Sequence, residues 1–191
     1  MRPRVVTALI VVLAAIGTWQ FGHAAWIYLK AQLAQSLLQR AWARTMNGEQ
    51  HVKPWPWADT WPVARLRAPY HGMDMIVLAG ASGRTLAFGP ALVNDGPGDE
   101  LRGTIVIGGH RDTHFQFLQK LHDDDELLIE QPGRPHRTYR VIETQVIDSR
   151  TTSIVNNPDR HQLLLVTCYP FDAILPGGPL RYVVTAEKLE E

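Results

Sequence analysis

The 191-residue chain contains one cysteine, Cys168. It closes the apolar run Leu163-Leu164-Leu165-Val166-Thr167-Cys168 and is followed by Tyr169-Pro170. Such a run reads as a strand, and a proline two residues later stops further ladder pairing. A thiol at a strand end is held by a rigid element yet stands at a rim that a substrate can reach. The competing reading is a small buried hydrophobe, a common fate of free cysteine. An ordinary thiol titrates near 8.5, so only about 3% is thiolate at pH 7. Use as a nucleophile therefore requires a neighbouring base or positive charge.

Two other segments supply candidates. In Gly103-Thr104-Ile105-Val106-Ile107-Gly108-Gly109-His110-Arg111-Asp112-Thr113-His114-Phe115, an apolar strand ends in two glycines and then His110. The arrangement repeats that of Cys168: a strand, then a reactive side chain at the rim. An imidazole there can work as general acid and base. Gly109 lets a substrate backbone or a turn come close. Arg181 opens a new strand after Gly177-Gly178-Pro179. Its guanidinium stays charged and could stabilise a developing oxyanion; the plain alternative is a surface arginine on a strand.

Several neighbours have two readings each. Thr167 either hydrogen-bonds near a substrate or simply suits the strand. Asp112 orients His110 or caps the helical turn that follows, with capping preferred. His110 and His114 are four residues apart, a metal-ligand spacing on a helix. The first follows a strand, however, so no metal site is assigned, and His114 is expected to pack or hydrogen-bond near the site. Asp123-Asp124-Asp125-Glu126 could offer oxygen ligands to calcium, but four consecutive acids read first as a solvated turn.

These side chains need a scaffold. Met75–Ala79, Thr104–Ile107, Leu127–Glu130, Thr138–Ile147, Gln162–Cys168 and Arg181–Ala186 read as strands, from their β-branched content and glycine or proline borders. Leu86–Leu92 is ambiguous because Gly89-Pro90 interrupts it. His114–Leu121 reads as a helical turn. Many strands and few helices predict a mainly β domain that forms a closed or nearly closed barrel. Apolar residues make up 45% of the chain, enough for a core without staples. Lysine plus arginine equals aspartate plus glutamate, 19 of each, so no net field draws nucleic acid, and none is expected as a partner.

Arg2 and Arg4 precede an apolar run that extends, with Gln20 and His23 as interruptions, to Leu29. About 20 apolar residues span a bilayer core. Trp19, Trp26 and Tyr28 suit its interface, and the basic flank predicts a cytoplasmic N-terminus. Residues 1–29 are therefore expected to be a tail and transmembrane signal-anchor, with a cleaved signal peptide as the alternative. Ala24–Met46 reads as helix, and its stripe of Leu29, Leu33, Leu37 and Ala41, with Leu38 alongside, is expected to pack on the domain. Three prolines and three tryptophans in Lys53–Pro62 predict a stiff strap. The tryptophans should pack on the domain or lie at the membrane surface. Residues 30–59 thus form helix and linker, and residues 60–191 the domain.

The Cys168, His110 and Arg181 segments together resemble the sortases, membrane-bound cysteine transpeptidases. The family's cysteine follows a Thr-Leu-x-Thr stretch; here Leu164-Leu165-Val166-Thr167 precedes Cys168, with Leu164 replacing the first threonine. The resemblance covers roughly residues 60–189, and the Trp-Pro strap, balanced charge and single anchor look most like the proteobacterial branch. It implies a closed β-barrel of about eight strands with short helices after a transmembrane helix. By the same resemblance, Cys168 would attack a Leu-Pro-x-Thr-Gly-like C-terminal sorting signal and His110 would protonate the leaving amine. Arg181 would hold the oxyanion, and Thr167, Leu165 and Gly109 would border the substrate. The partners implied are a substrate protein with that signal, an unspecified amine acceptor, and the membrane through the N-terminal helix, with the catalytic domain outside the cytoplasm. No metal or organic cofactor is required. Two rival readings remain open: a cysteine hydrolase on the same scaffold, and an anchored β-barrel that only binds a partner.

Overall fold

The computed structural model describes residues 3–93, 103–154, 160–175 and 177–189. Arg2 of the N-terminal basic flank lies outside them. The chain divides into two compact units, Met1–Leu37 and Leu38–Glu191.

Helix α1 runs unbroken over Pro3–Met46, so the expected N-terminal apolar helix and the expected Ala24–Met46 helix are one element, with no internal proline to interrupt it. By length and composition it can cross a membrane. The expected packing of the stripe holds at Leu38 and Ala41 and not at Leu29 and Leu33. Leu29 and Leu33 are 61% and 58% exposed, whereas Leu38, Ala41 and Trp42 are buried. Burial thus begins at Leu38 and follows the i, i+3, i+4 rule from there.

The second unit is a closed barrel of eight strands in the order β1-β2-β3-β4-β7-β8-β6-β5. Its strands are β1 Pro62–Ala68, β2 Met73–Leu78, β3 Ala91–Leu92, β4 Ile105–Gly108, β5 Glu126–Glu130, β6 Arg137–Asp148, β7 Gln162–Cys168 and β8 Leu180–Lys188. The ambiguous Leu86–Leu92 resolves into the end of a short helix, α2 Gly83–Leu86, and the two-residue β3. The turn expected at His114–Leu121 is a 3-10 helix over Gln116–Lys120.

Alternation along the strands builds the core. In β7, Leu163, Leu165 and Thr167 are buried, while Leu164, Val166 and Cys168 are partly exposed. The inner residues join Leu66, Ile105, Ile107, Leu127, Ile129, Tyr139 and Val184 in one cluster. Each large aliphatic side chain buried there stabilises the fold by about 1.5–3 kcal/mol. The second half of strand β2, from Ile76 to Leu78, is buried on both faces. Val77 enters the barrel interior, while Ile76 and Leu78 meet Leu38, Trp42 and Ala91. A strand covered on both sides reads as a continuous apolar run, which is how Met75–Ala79 appears in the sequence.

Two of the strap's three tryptophans pack. Trp55 lies edge-on to Phe88 at 4.8 Å and Trp61 edge-on to His51 at 4.6 Å. Trp57 remains 83% exposed.

Candidate active site

Strand register places the three candidate side chains at or just past neighbouring strand ends. Strands β4 and β7 run parallel, with Gly108 opposite Val166, and the Gly109 N–H donates to the Val166 carbonyl at 3.1 Å. His110 follows Gly108 by two residues, as Cys168 follows Val166 by two. On the other side β8 runs antiparallel, with Arg181 directly opposite Cys168. Neighbouring strands lie about 4.8 Å apart, which sets the backbones of Cys168 and Arg181 side by side at the end of β7. Directly opposed residues share a face of the sheet, which puts Cys168 and Arg181 together on the outer face of the barrel. Cys168 is a free, partly exposed thiol, and His110 is exposed.

Local packing fixes His110. The chain folds back through residues 110–115, and the Phe115 N–H donates to the His110 carbonyl at 2.9 Å. The Phe115 ring is fully buried. It lies so close to Gly109 that an added Cβ would sit 2.8 Å from the ring. The glycine therefore serves a close approach by the chain's own turn. Thr167 works from the neighbouring strand, where its hydroxyl donates to the Gly109 carbonyl at 2.7 Å.

This corrects two of the expected substrate contacts. Leu165 is 0% and Thr167 2% exposed, because even spacing from Leu163 turns both into the barrel. They position the two strand ends and present no surface to a substrate. The expected cap at Asp112 is also corrected: the 3-10 helix begins from Phe115 with no side-chain cap bond. Asp112 acts instead as a charge near His114, opposing the fall in that residue's pKa. Burial is the main cause of that fall and the neighbouring His110 the next, and both favour the neutral imidazole of His114. Its Nδ1 lies 3.4 Å from the Thr113 hydroxyl.

The loop after Cys168 is tied down at both ends. Arg111 donates to the Ala173 carbonyl at 2.6 Å, linking the His110 turn to this loop. Arg181 donates to the Gly178 and Leu180 carbonyls at 2.7 and 2.8 Å. Tyr169, Phe171 and Tyr182 form an aromatic group beneath it, with centroids 5.2–6.2 Å apart. Sequence reasoning assigned no role to Phe115 or Arg111. An aromatic six residues after the second glycine of a strand-ending Gly-Gly pair was the available signal for Phe115; nothing local marked the partner of Arg111.

The acidic turn is engaged within the fold. The Asp125 carboxylate accepts from the His122 N–H at 2.9 Å and pairs with His71 Nε2 at 2.8 Å. Burial pushes its pKa up, but these bonds outweigh burial and hold it below the ordinary value. Among the described residues, no three His, Cys, Asp or Glu side chains converge as a metal-holding group.

Comparison with protein families matches a Sortase domain over residues 66–189. Sortase D of Bacillus subtilis (strain 168) is 29% identical over 126 residues, which cover 65% of this chain and 62% of that protein. The chain thus spans less than two thirds of that relative's length. Sortase C-1 of Actinomyces oris superposes with a TM-score of 0.58 at 25% identity, covering 68% of this chain and 76% of the other. A Clostridium perfringens Sortase D5 transpeptidase gives 0.65 at 21% identity, with coverage of 83% and 99%. At that identity the likeness shows the fold.

Proposed function

Because the chain belongs to the sortase family, whose members are transpeptidases acting on proteins with sorting signals, we propose that it is a membrane-anchored cysteine transpeptidase with Cys168 as nucleophile. One observation supports this reading: β7 ends at Cys168 with Arg181 directly opposite, and the parallel neighbour β4 ends two residues before His110. A buried, inert cysteine would suit a pure binding module, but Cys168 is partly exposed, with Arg181 opposite it.

The chemistry follows from those positions. The Cys168 thiolate attacks the backbone carbonyl of a Leu-Pro-x-Thr-Gly-like signal, forming a C–S bond and a tetrahedral oxyanion. Arg181 offers fixed charge-assisted donors on the same face, where the oxyanion develops. Collapse breaks the C–N bond, and the imidazolium of His110 gives its proton to the leaving amine. The thioester keeps the acyl group until an amine arrives. His110 takes the proton of that amine as a new amide forms and thiolate is released.

Helix α1 is the proposed anchor, with residues 1–29 in and before the membrane, 30–59 as helix and strap, and 60–191 as the catalytic barrel outside the cytoplasm. The apolar exposure of α1 supports this, as does the basic flank. The strap, balanced charge and single anchor support a place in the proteobacterial branch.

The test joins a sorting-motif peptide to an added amine, using the full chain and Cys168→Ala. The full chain should form the amide product, and the variant should form none while melting at the same temperature. Equal product from both would refute Cys168 as nucleophile. Hydrolysed peptide as the only product at every amine concentration would refute transpeptidation.

A further inference from the structure

The strands hold His110 and Cys168 only as far as their own ends. Strand β4 stops at Gly108 and β7 at Cys168. The last bonds between them run from the Gly109 N–H to the Val166 carbonyl and from the Thr167 hydroxyl to the Gly109 carbonyl. Past these bonds the chain runs in two loops, residues 110–115 and 169–179. His110 is exposed, and among the described residues its ring makes no hydrogen bond. Its pose is therefore inherited from the backbone that carries it.

Among the described residues one hydrogen bond joins the two loops. Arg111 Nη2 donates to the Ala173 carbonyl at 2.6 Å, across 62 positions of sequence. It is also the one hydrogen bond that the Arg111 side chain makes among those residues. Arg111 directly follows His110, and Ala173 lies in the loop that Cys168 opens. A guanidinium bond of this kind is charge-assisted and directional. Partial burial strengthens it further.

The loop that Arg111 grips is itself anchored. The Tyr169 N–H donates to the Leu180 carbonyl at 3.0 Å, and that carbonyl also accepts from Arg181. The Ala173 N–H donates back to the Pro170 carbonyl at 3.4 Å, closing a tight turn. Phe171 and Tyr182 pack edge-on, 5.2 Å apart, and both rest against the barrel core. Arg111 thus ties the His110 turn to a short folded segment that begins at the thiol-bearing residue.

We propose that Arg111 is a positioning residue for the Cys168–His110 pair: by holding the Ala173 carbonyl it sets the separation of imidazole and thiol. The kinetic consequence rests on the transpeptidase reading; the latch itself does not. A shift of about 1 Å at a catalytic group can cost about 10²-fold in rate, and the latch is one residue from His110.

The experiment compares the full chain with R111M, R111K and H110A in detergent micelles, by two readouts. Alkylation of Cys168 by iodoacetamide needs no substrate, and a thiolate forms more readily beside an imidazolium. An ordinary imidazole is mostly protonated at about pH 6. There alkylation should be about threefold or more slower in H110A and R111M than in the full chain. R111K should fall between, because lysine keeps the charge and loses the fork. In transpeptidation of a sorting-motif peptide, R111M should lower kcat about 10- to 100-fold and leave KM within about twofold, with part of the loss recovered in R111K. If R111M does not fold, R111K carries both comparisons. Slower alkylation in R111M with no product from any chain, the full chain included, would uphold the positioning role and refute the transpeptidase reading. Equal alkylation, or an equal and measurable kcat, in the full chain and R111M would overturn the proposal and leave that reading standing. A raised KM at unchanged kcat would also overturn it, since Arg111 would then contact the substrate.

Discussion

On the inner face of β7, Leu163, Leu165 and Thr167 are sealed into the barrel, whereas Leu164, Val166 and Cys168 on the outer face remain partly exposed. One residue of offset separates the two sets, because strand side chains alternate. The inner set is chosen by packing. The outer set ends at the thiol, opposite Arg181. Under the proposed function, stability and chemistry fall on opposite faces of one strand, and the chemistry can change without disturbing the core. Gly109 and Thr167 are the exceptions, since they join the faces by fixing where β4 releases His110.

The sharpest test of this division removes outer-face chemistry. His110→Ala should lower transpeptidation by about 10²–10⁴-fold, and Arg181→Gln by about 10²–10³-fold, both with nearly native melting temperatures. A matching loss of stability would break the comparison. Arg181→Lys would sharpen it: the charge survives but the fork is lost, so activity should fall between the two.

The converse test cuts the inner face. Leu165→Ala should cost about 2–5 kcal/mol in urea unfolding and leave activity per folded molecule unchanged. Gly109→Ala should behave as neither kind. Its Cβ would press on the buried Phe115 ring, costing about 1–3 kcal/mol. His110 would also be displaced, so activity should fall in the molecules that still fold. Full activity in that fraction would show that the turn does not position His110. Thr167→Val leaves the Gly109 carbonyl without its donor and should cost about 1 kcal/mol, with a small loss of activity.

The smallest effect concerns the His71–Asp125 pair. The folded pKa of Asp125 lies below its ordinary 3.8, so the pair's contribution is complete above the unfolded value. It is lost as pH falls through the lower folded value. Asp125→Asn should destabilise by about 1 kcal/mol or less at pH 7, and the difference should vanish in acid. A constant difference down to pH 2 would refute the pairing.

Legibility varied along the chain for physical reasons. Strand β7 was readable to the residue because a run rich in Leu and Val ends at a proline-bearing turn. Strand β1 was missed. Its inward positions are Pro62, Ala64, Leu66 and Ala68, and small residues alternating with arginines give little hydrophobic signal. Strand β3 has two residues and is recruited through tertiary pairing of Ala91 with Leu78, which no local pattern encodes. At the candidate site, the placement of Cys168 at the end of β7 and of Arg181 at the start of β8 was visible from the proline and glycine that border those runs. The orientations of Leu165 and Thr167 were not, because choosing the inner face requires knowing which side the barrel closes on. The contact between Arg111 and Ala173 spans 62 residues and depends on the closed fold.

The most direct measurement is the mass of the full chain after mixing with a sorting-motif peptide and no acceptor amine. The proposed chemistry predicts an added mass equal to the acyl portion of the peptide, located on the fragment containing Cys168 and released by an added amine as an amide. An unmodified Cys168, or an adduct on any other residue, would contradict it.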